Sequence, residues 1–201
     1  MKLGIRFFTL MCSLLIALPA AYSQGTASDA RPIQLYAFGG ATGTYTGLDG
    51  SKNLGITAGV DLGFSSYRGF LPTLEVRGTY PINNGTIVGE ENFLGGVKVE
   101  RRYGVIHPYV DILFGRGQLQ YGGRGLLGLT GSTLRLYQRT PTNVFSPGAG
   151  FDIDITRSIA VKADFQLQHF NTPVVSEGDI YSKAITIGAL YRFGYNQRHP
   201  Y

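Results

Sequence analysis

Three stretches of this chain separate charge from oil with a period of two. Asp152, Asp154, Lys162, Asp164, Lys98 and Glu100 alternate with Ile153, Ile155, Val161, Ala163, Phe165, Leu167, Phe93, Val97 and Val99. Successive side chains of a β-strand point to opposite faces, so each stretch reads as a strand with one apolar and one ionic face. Which face points outward decides whether such a chain lives in water or in a bilayer.

The same alternation recurs along the chain, and no sustained i, i+3, i+4, i+7 apolar pattern interrupts it. Eight segments are predicted as strands, over 33–45, 54–64, 72–80, 92–102, 109–117, 145–155, 159–170 and 183–195. Glycine, proline, asparagine and serine punctuate them. The facing of the first segment is ambiguous. Connections after the second, fourth and sixth segments are short, at 65–71, 103–108 and 156–158. Those after the third, fifth and seventh are longer, at 81–91, 118–144 and 171–182, and 46–53 joins the first two segments. Short turns at one end and long loops at the other are the habit of an outer-membrane barrel, with the short turns periplasmic and the long loops extracellular.

Residues 1–23 read as a secretory signal outside the fold. Lys2 and Arg6 precede an apolar run from Phe7 to Ala17, and Ala21 and Ser23 are the small residues before a cleavage at Gln24. The one cysteine, Cys12, lies in this segment, so neither a disulfide nor a thiolate metal site is expected in the exported chain. The net charge of +5 falls by two once Lys2 and Arg6 are removed. By length the remainder, 24–201, is one domain. It has no apolar run long enough for a transmembrane helix. Barrel strands are shorter and alternate, so that absence leaves a membrane barrel open.

The polar parity carries seven acids, Asp61, Glu75, Glu100, Asp111, Asp152, Asp154 and Asp164, and five bases, Arg77, Lys98, Arg102, Lys162 and Arg192. On the apolar parity the one full charge expected is Arg101. The ends of the apolar face carry Phe64, Tyr80, Phe93, Phe114, Phe151, Tyr191 and Phe193, which suggests an aromatic girdle. A charge facing the bilayer midplane costs about 2–4 kcal/mol, so a lipid-facing wall excludes charge this strictly. The apolar face is therefore expected outside. The twelve charges are expected inside, paired in a lumen too narrow for a water-filled channel.

Several runs resemble a known superfamily. His107-Pro108-Tyr109-Val110-Asp111-Ile112-Leu113-Phe114-Gly115 looks like the Pro-aromatic strand start of small outer-membrane barrels. Gly148-Ala149-Gly150-Phe151-Asp152-Ile153, followed by Ile159-Ala160-Val161-Lys162-Ala163-Asp164-Phe165, resembles their sixth and seventh strands. Gly188-Ala189-Leu190-Tyr191-Arg192-Phe193-Gly194 is similar to their last. The resemblance is to eight-stranded barrels like the transmembrane domain of outer-membrane protein A, often grouped as porin-like. It implies an all-β, antiparallel, up-and-down transmembrane barrel in the outer membrane of a Gram-negative cell envelope. Two departures stand out. No peptidoglycan-binding domain follows, so cell-wall anchoring is not expected. The chain also runs past Phe193 and Tyr195 to Tyr201, which leaves three candidates for the aromatic assembly signal.

Four functional classes follow. The first is a structural or surface-interacting barrel with a side-chain-filled polar lumen, monomeric, without cofactor or metal. Its expected partners are membrane lipid, lipopolysaccharide and the outer-membrane assembly machinery, with no nucleic acid. The long loop holds Arg116, Arg124, Arg135 and Arg139 and no acid, so it could meet the phosphates of lipopolysaccharide or another anionic surface. The second class is a narrow or gated pore, and the third a secreted lipocalin-like binder. The fourth is a lipid A-modifying hydrolase. His169-Phe170-Asn171-Thr172 distantly resembles the His-x-Ser-Asn stretch of barrel deacylases, and Glu177 could orient the histidine. Asn171 occupies the serine position, however, and a hydrolase needs a nucleophile beside its base, so no catalytic residue is assigned. His107, His169 and His199 are too scattered for a metal site.

Overall fold

The computed structural model describes residues 33–46, 51–83, 88–121, 126–130, 133–172 and 178–193. The expected signal segment, Tyr195 and Tyr201 lie outside them. The described residues form ten strands: β1 (Gln34–Tyr45), β2 (Lys52–Gly63), β3 (Phe70–Asn83), β4 (Val88–Arg101), β5 (Ile106–Tyr121), β6 (Leu126–Thr130), β7 (Thr133–Tyr137), β8 (Arg139–Asp154), β9 (Ile159–Asn171) and β10 (Asp179–Phe193). Eight close into a barrel in the order β1-β10-β9-β8-β5-β4-β3-β2, and β6 and β7 form a separate hairpin. All pairings are antiparallel.

The fifth connection differs from the sequence expectation of a loop over 118–144. β5 continues to Tyr121, β8 begins at Arg139, and the β6–β7 hairpin occupies what lies between. The extension of β5 keeps the alternation, Gln118 and Gln120 against the buried Leu119 and Tyr121, but here the apolar residues face inward, the reverse of the membrane-spanning part.

Closure occurs where β1 meets β10. Gly40 pairs with Gly188 in that register. A Cβ on Gly40 would lie 2.4 Å from the Ile187 carbonyl oxygen, and one on Gly188 would lie 2.2 Å from that of Gly39. The backbones approach so closely at this point of the seam that no side chain can enter from either residue.

The facing is apolar outside and ionic inside. Val161 and Phe165 are each 39% exposed and Ile187 63%, while Asp152, Lys162 and Asp164 are at most 3% exposed. This is the reverse of a soluble barrel. The aromatic residues of the wall fall in two belts. Tyr45, Tyr80, Phe93, Phe114, Phe145 and Tyr181 are exposed toward the long-loop end, and Tyr67, Phe70, Tyr103, Phe151, Tyr191 and Phe193 toward the short-turn end. Arg101 sits in the lower belt, its guanidinium 4.9 Å from the Phe70 ring centre and 4.7 Å from that of Tyr103. Between Phe70 and Tyr80 on β3 the outward residues are Pro72, Leu74, Val76 and Gly78. Ten residues at about 3.4 Å each, tilted about 40°, rise about 25 Å, the height of a barrel's apolar band.

Two further charges, beyond Arg101, stand on the outer parity of the expected strands. Arg116 and Lys183 are exposed on the wall, as are Lys52 and Arg139 where β2 and β8 begin. All four lie toward the long-loop rim, where strand and apolar band no longer coincide. The facing of β1, ambiguous from sequence, is now fixed: Tyr36, Phe38, Thr42 and Thr44 point in, and Gly39, Ala41, Gly43 and Tyr45 point out.

Val97 is exposed midway down β4. Val97→Arg is expected to cost about 2–4 kcal/mol of folding stability in lipid vesicles, read by denaturant titration. Arg101→Ala, at the interface, should cost much less. Equal costs would contradict a lipid-facing wall.

Candidate functional site

The lumen is where this fold concentrates its chemistry. At its centre Arg77, from β3, gathers three carboxylates. Its Nε donates to Glu75 Oε1 at 2.5 Å, its Nη1 to Asp164 Oδ2 at 2.5 Å, and its Nη2 lies 3.7 Å from Asp111 Oδ2. Lys98, from β4, pairs with Asp61 and lies 3.8 Å from Glu75 Oε2. Glu75 thus stands between both cations. The alternation of β2, β3, β4, β5 and β9 aims all of these groups at one axis, and closure brings residues far apart in sequence together.

Lys162 is held differently. Its Nζ is 4.0 Å from Asp152 Oδ1 and makes no hydrogen bond, but lies 4.1 Å from the Tyr109 ring centre and 4.7 Å from that of Phe38. Lys98 Nζ lies 4.9 Å from the Tyr109 ring as well. The electron-rich ring faces stabilise buried ammonium groups that carboxylates alone reach poorly. Two neutral side chains complete the centre. Tyr109 donates to Asp164 Oδ1 at 2.9 Å. Gln166 Nε2 lies 3.0 Å from both Asp111 oxygens and 3.1 Å from Asp164 Oδ1, while its own Oε1 accepts from Ser146 at 2.7 Å. Room for these side chains comes from inward glycines: a Cβ on Gly150 would sit 2.5 Å from Tyr109 Oη.

Toward the long-loop end the lumen changes character. Val88, Leu94, Leu113, Leu119, Tyr121, Val144, Phe170 and Ile180 form a buried apolar cluster. Across from them a hydroxyl ladder links Thr186, Thr42, Thr57 and Thr79 at 2.6–2.8 Å. Higher still, Ser182 donates to Glu90 at 2.8 Å. At the other end Tyr36, Phe38, Leu71, Ala160 and Leu190 make a second apolar cluster. The expected polar lumen is therefore an ionic core between two apolar layers. Leu94, Leu113, Phe170 and Leu190 lie on the polar parity without a charge, Leu71 and Leu119 lie outside the expected strands, and Phe38 lies on the strand whose facing is ambiguous from sequence, so none of them stands out in the sequence.

Four of the twelve expected network residues form a second cluster at the short-turn mouth. Arg192 Nη1 lies 2.5 Å from Asp154 Oδ1, and Arg102 Nε 3.4 Å from Glu100 Oε1. His107 joins them, with Nδ1 3.1 Å from Glu100 Oε1 and Nε2 3.4 Å from Asp154 Oδ2. A cavity of about 280 Å³ opens beside Arg102, His107, Asp154 and Arg192. His107 escaped sequence reading because it precedes the alternating part of its segment.

Two of the four loop arginines can be placed by their exposure. Arg116 faces out from β5, Arg139 is exposed where β8 begins, Arg135 falls on β7, and Arg124 lies outside the described residues. His169 faces the wall side, its Nε2 3.1 Å from Asp179 Oδ1 and its ring 4.9 Å from that of Tyr181. Asp179 stands beside it, whereas Glu177 lies outside the described residues. No hydroxyl nucleophile is bonded to His169 among the described residues. None of them forms a cluster of three or more His, Cys, Asp or Glu able to hold a metal ion.

Removing one partner of a buried ion pair leaves an uncompensated charge and costs about 3–5 kcal/mol. Lys98→Met should lower stability by that order in a denaturant titration of the refolded barrel. Lys98→Met combined with Asp61→Asn should recover much of the loss, and strict additivity would show that the two groups do not interact.

Scanned against protein-family models the chain matches none, and no curated protein sequence matches it. Solved structures do. Neisserial surface protein A (NspA) is similar at 11% identity and a TM-score of 0.50, over 80% of this chain and 97% of that one. Ail, the attachment invasion locus protein of Yersinia pestis, in complex with the heparin analogue sucrose octasulfate, is similar at 12% identity and a TM-score of 0.50, over 81% of this chain and 100% of that one. At such identities the likeness is one of fold. Taken with the apolar wall, the two aromatic belts and the ionic interior, it gives this chain the architecture of a small eight-stranded outer-membrane β-barrel.

Proposed function

We propose that this protein is an integral component of a Gram-negative outer membrane, a sealed scaffold that presents its long-loop end to the cell exterior. Its role is structural or surface-interacting, not catalytic. The observation that carries this reading is the filled lumen: Arg77, Lys98 and Lys162, each at most 2% exposed, are locked to carboxylates and aromatic rings between two apolar layers. A path for ions would need to break several of these contacts at once. Export and folding would pass through the outer-membrane assembly machinery, and the product would be a monomer with no cofactor.

A gated pore is the second reading. It is favoured by the loose Asp152–Lys162 pair, in which both carboxylate oxygens and the ammonium lack hydrogen-bond partners. Planar-bilayer recording separates the two. The sealed reading expects silence at neutral pH and moderate voltage, and steady single-channel steps would overturn it.

For the surface role, Arg116, Arg124, Arg135 and Arg139 supply cationic side chains for an anionic partner such as lipopolysaccharide. A basic residue near an anionic surface contributes about 1 kcal/mol. Changing all four to glutamine should therefore weaken retention on immobilised lipopolysaccharide about tenfold or more. Unchanged retention would remove these arginines from the role.

A further inference from the structure

The outer wall is not smooth. Antiparallel register places Tyr45 of β1 opposite Lys183 of β10 on one side and opposite Lys52 of β2 on the other. Lys183, Tyr45 and Lys52 thus form one row across three strands at the long-loop rim, all facing out. Two strand spacings separate the lysines, about 10 Å between backbones. Neither ammonium has an acidic partner among the described residues.

Directly below this row the wall is hollow. The outward residues of β1 are Gly43, Ala41 and Gly39, while the flanking columns are Ile185 and Ile187 on β10 and Leu54 and Ile56 on β2. Four branched side chains stand as ridges beside a floor of backbone and methyl groups. A hollow of about 560 Å³ lies over this floor on its β10 side, lined by Gly43, Ile185, Ile187, Phe165 and both lysines, while Leu54 and Ile56 border the floor on the β2 side. A Cβ on Gly43 would meet nothing within 4 Å. The furrow runs along the strand from the interface into the band that faces lipid tails.

We infer that this furrow is a specific site for a phosphorylated, multiply acylated glycolipid of the outer leaflet, the lipid A class, with Lys52 and Lys183 on its phosphates and an acyl chain along β1. The inference rests on the outer-membrane reading above and is independent of the loop arginines. Burial from water does not drive an acyl chain into the furrow, because neighbouring lipid tails are as apolar as its walls. Shape does: a chain lying between two ridges gains dispersion contacts on three sides instead of one. Charge supplies the selectivity. Two ammonium groups about 10 Å apart at the edge of a low-dielectric slab make charge-assisted bonds to phosphate oxygens that a zwitterionic headgroup satisfies poorly. A lipid with a phosphate at the interface and acyl chains immediately below it meets both demands at once. Tyr45 lies between the lysines, with a ring and a hydroxyl for the same interface.

The test is native mass spectrometry of the barrel purified in non-ionic detergent, with bis-phosphorylated hexa-acylated lipid A as probe. The unaltered barrel should retain lipid A. Lys52→Gln with Lys183→Gln should lower retention about tenfold, as removal of phosphate from the probe should. Gly43→Val fills the furrow while keeping both lysines, and should also lower retention. Arg157→Gln, exposed in the short turn at the opposite end of the barrel, should leave it unchanged. Unaltered retention in the lysine pair, equal retention of phosphatidylglycerol, or a dimer broken by Gly43→Val in place of lipid adducts would each overturn the site. A barrel that stays soluble and monodisperse without detergent would instead overturn the membrane reading on which the site rests. Heat-modifiable migration of each variant on gels shows that loss of lipid is not loss of fold.

Discussion

The structure depends on one constraint: every backbone hydrogen bond must be closed within the sheet, because the surrounding lipid offers none. A closed antiparallel barrel satisfies this without leaving an edge. Once it closes, strand geometry sends alternate side chains to lipid and to lumen, and the two environments make opposite demands. Lipid rejects charge. A lumen too narrow for bulk water accepts charge only when it is paired. The separation of Asp152, Lys162 and Asp164 from Ile153, Val161 and Phe165 is the imprint of both demands on one stretch of chain.

The same constraint explains the layering of the interior. Carboxylates outnumber cations at the centre, where Asp61, Glu75, Asp111, Asp152 and Asp164 face Arg77, Lys98 and Lys162. The balance of hydrogen bonds is made up by neutral donors, Gln166 and Tyr109, and the rings of Tyr109 and Phe38 stabilise the ammonium that lacks a close carboxylate. Apolar clusters above and below shield this core from water. Low dielectric strengthens each pairing within it, and the same low dielectric makes any single loss expensive.

Much of the fold was legible in the sequence because period two survives wherever lipid and lumen act together. The number of barrel strands, the side on which short turns lie and the direction of each ionic face all follow from that alternation. Legibility failed where one of the two demands is missing. β1 carries glycine and alanine on its outer face, so its parity is mute until Thr42, Phe38 and Tyr36 are seen pointing inward. Beyond the apolar band β5 and β8 lengthen with the apolar residues Leu119, Tyr121 and Val144 turned inward, so a reading that looks for oil on the outer parity does not extend the strands through them. Arg116 and Lys183 sit on the outer parity because the rim tolerates them. The ion pairs are a different case: alternation says which charges share the lumen, but only barrel closure says that Arg77 meets Asp164 or that His107 joins Glu100. The furrow beside β1 depends on the register of three strands and on the absence of side chains, neither of which a linear reading exposes.

The most direct measurement of this account is the accessibility of adjacent spin labels on one strand. Cys12 lies in the expected signal segment, so Ile187→Cys and Thr186→Cys would each supply a single labelling site in the exported barrel. In lipid vesicles the account predicts that the label at Ile187 is relaxed strongly by oxygen, which concentrates in the bilayer, and weakly by a water-soluble nickel chelate. The label at Thr186, buried in the lumen, should be shielded from both. High nickel accessibility at Ile187, or oxygen accessibility at Thr186 that exceeds it, would mean that the wall and the lumen have been assigned the wrong way round.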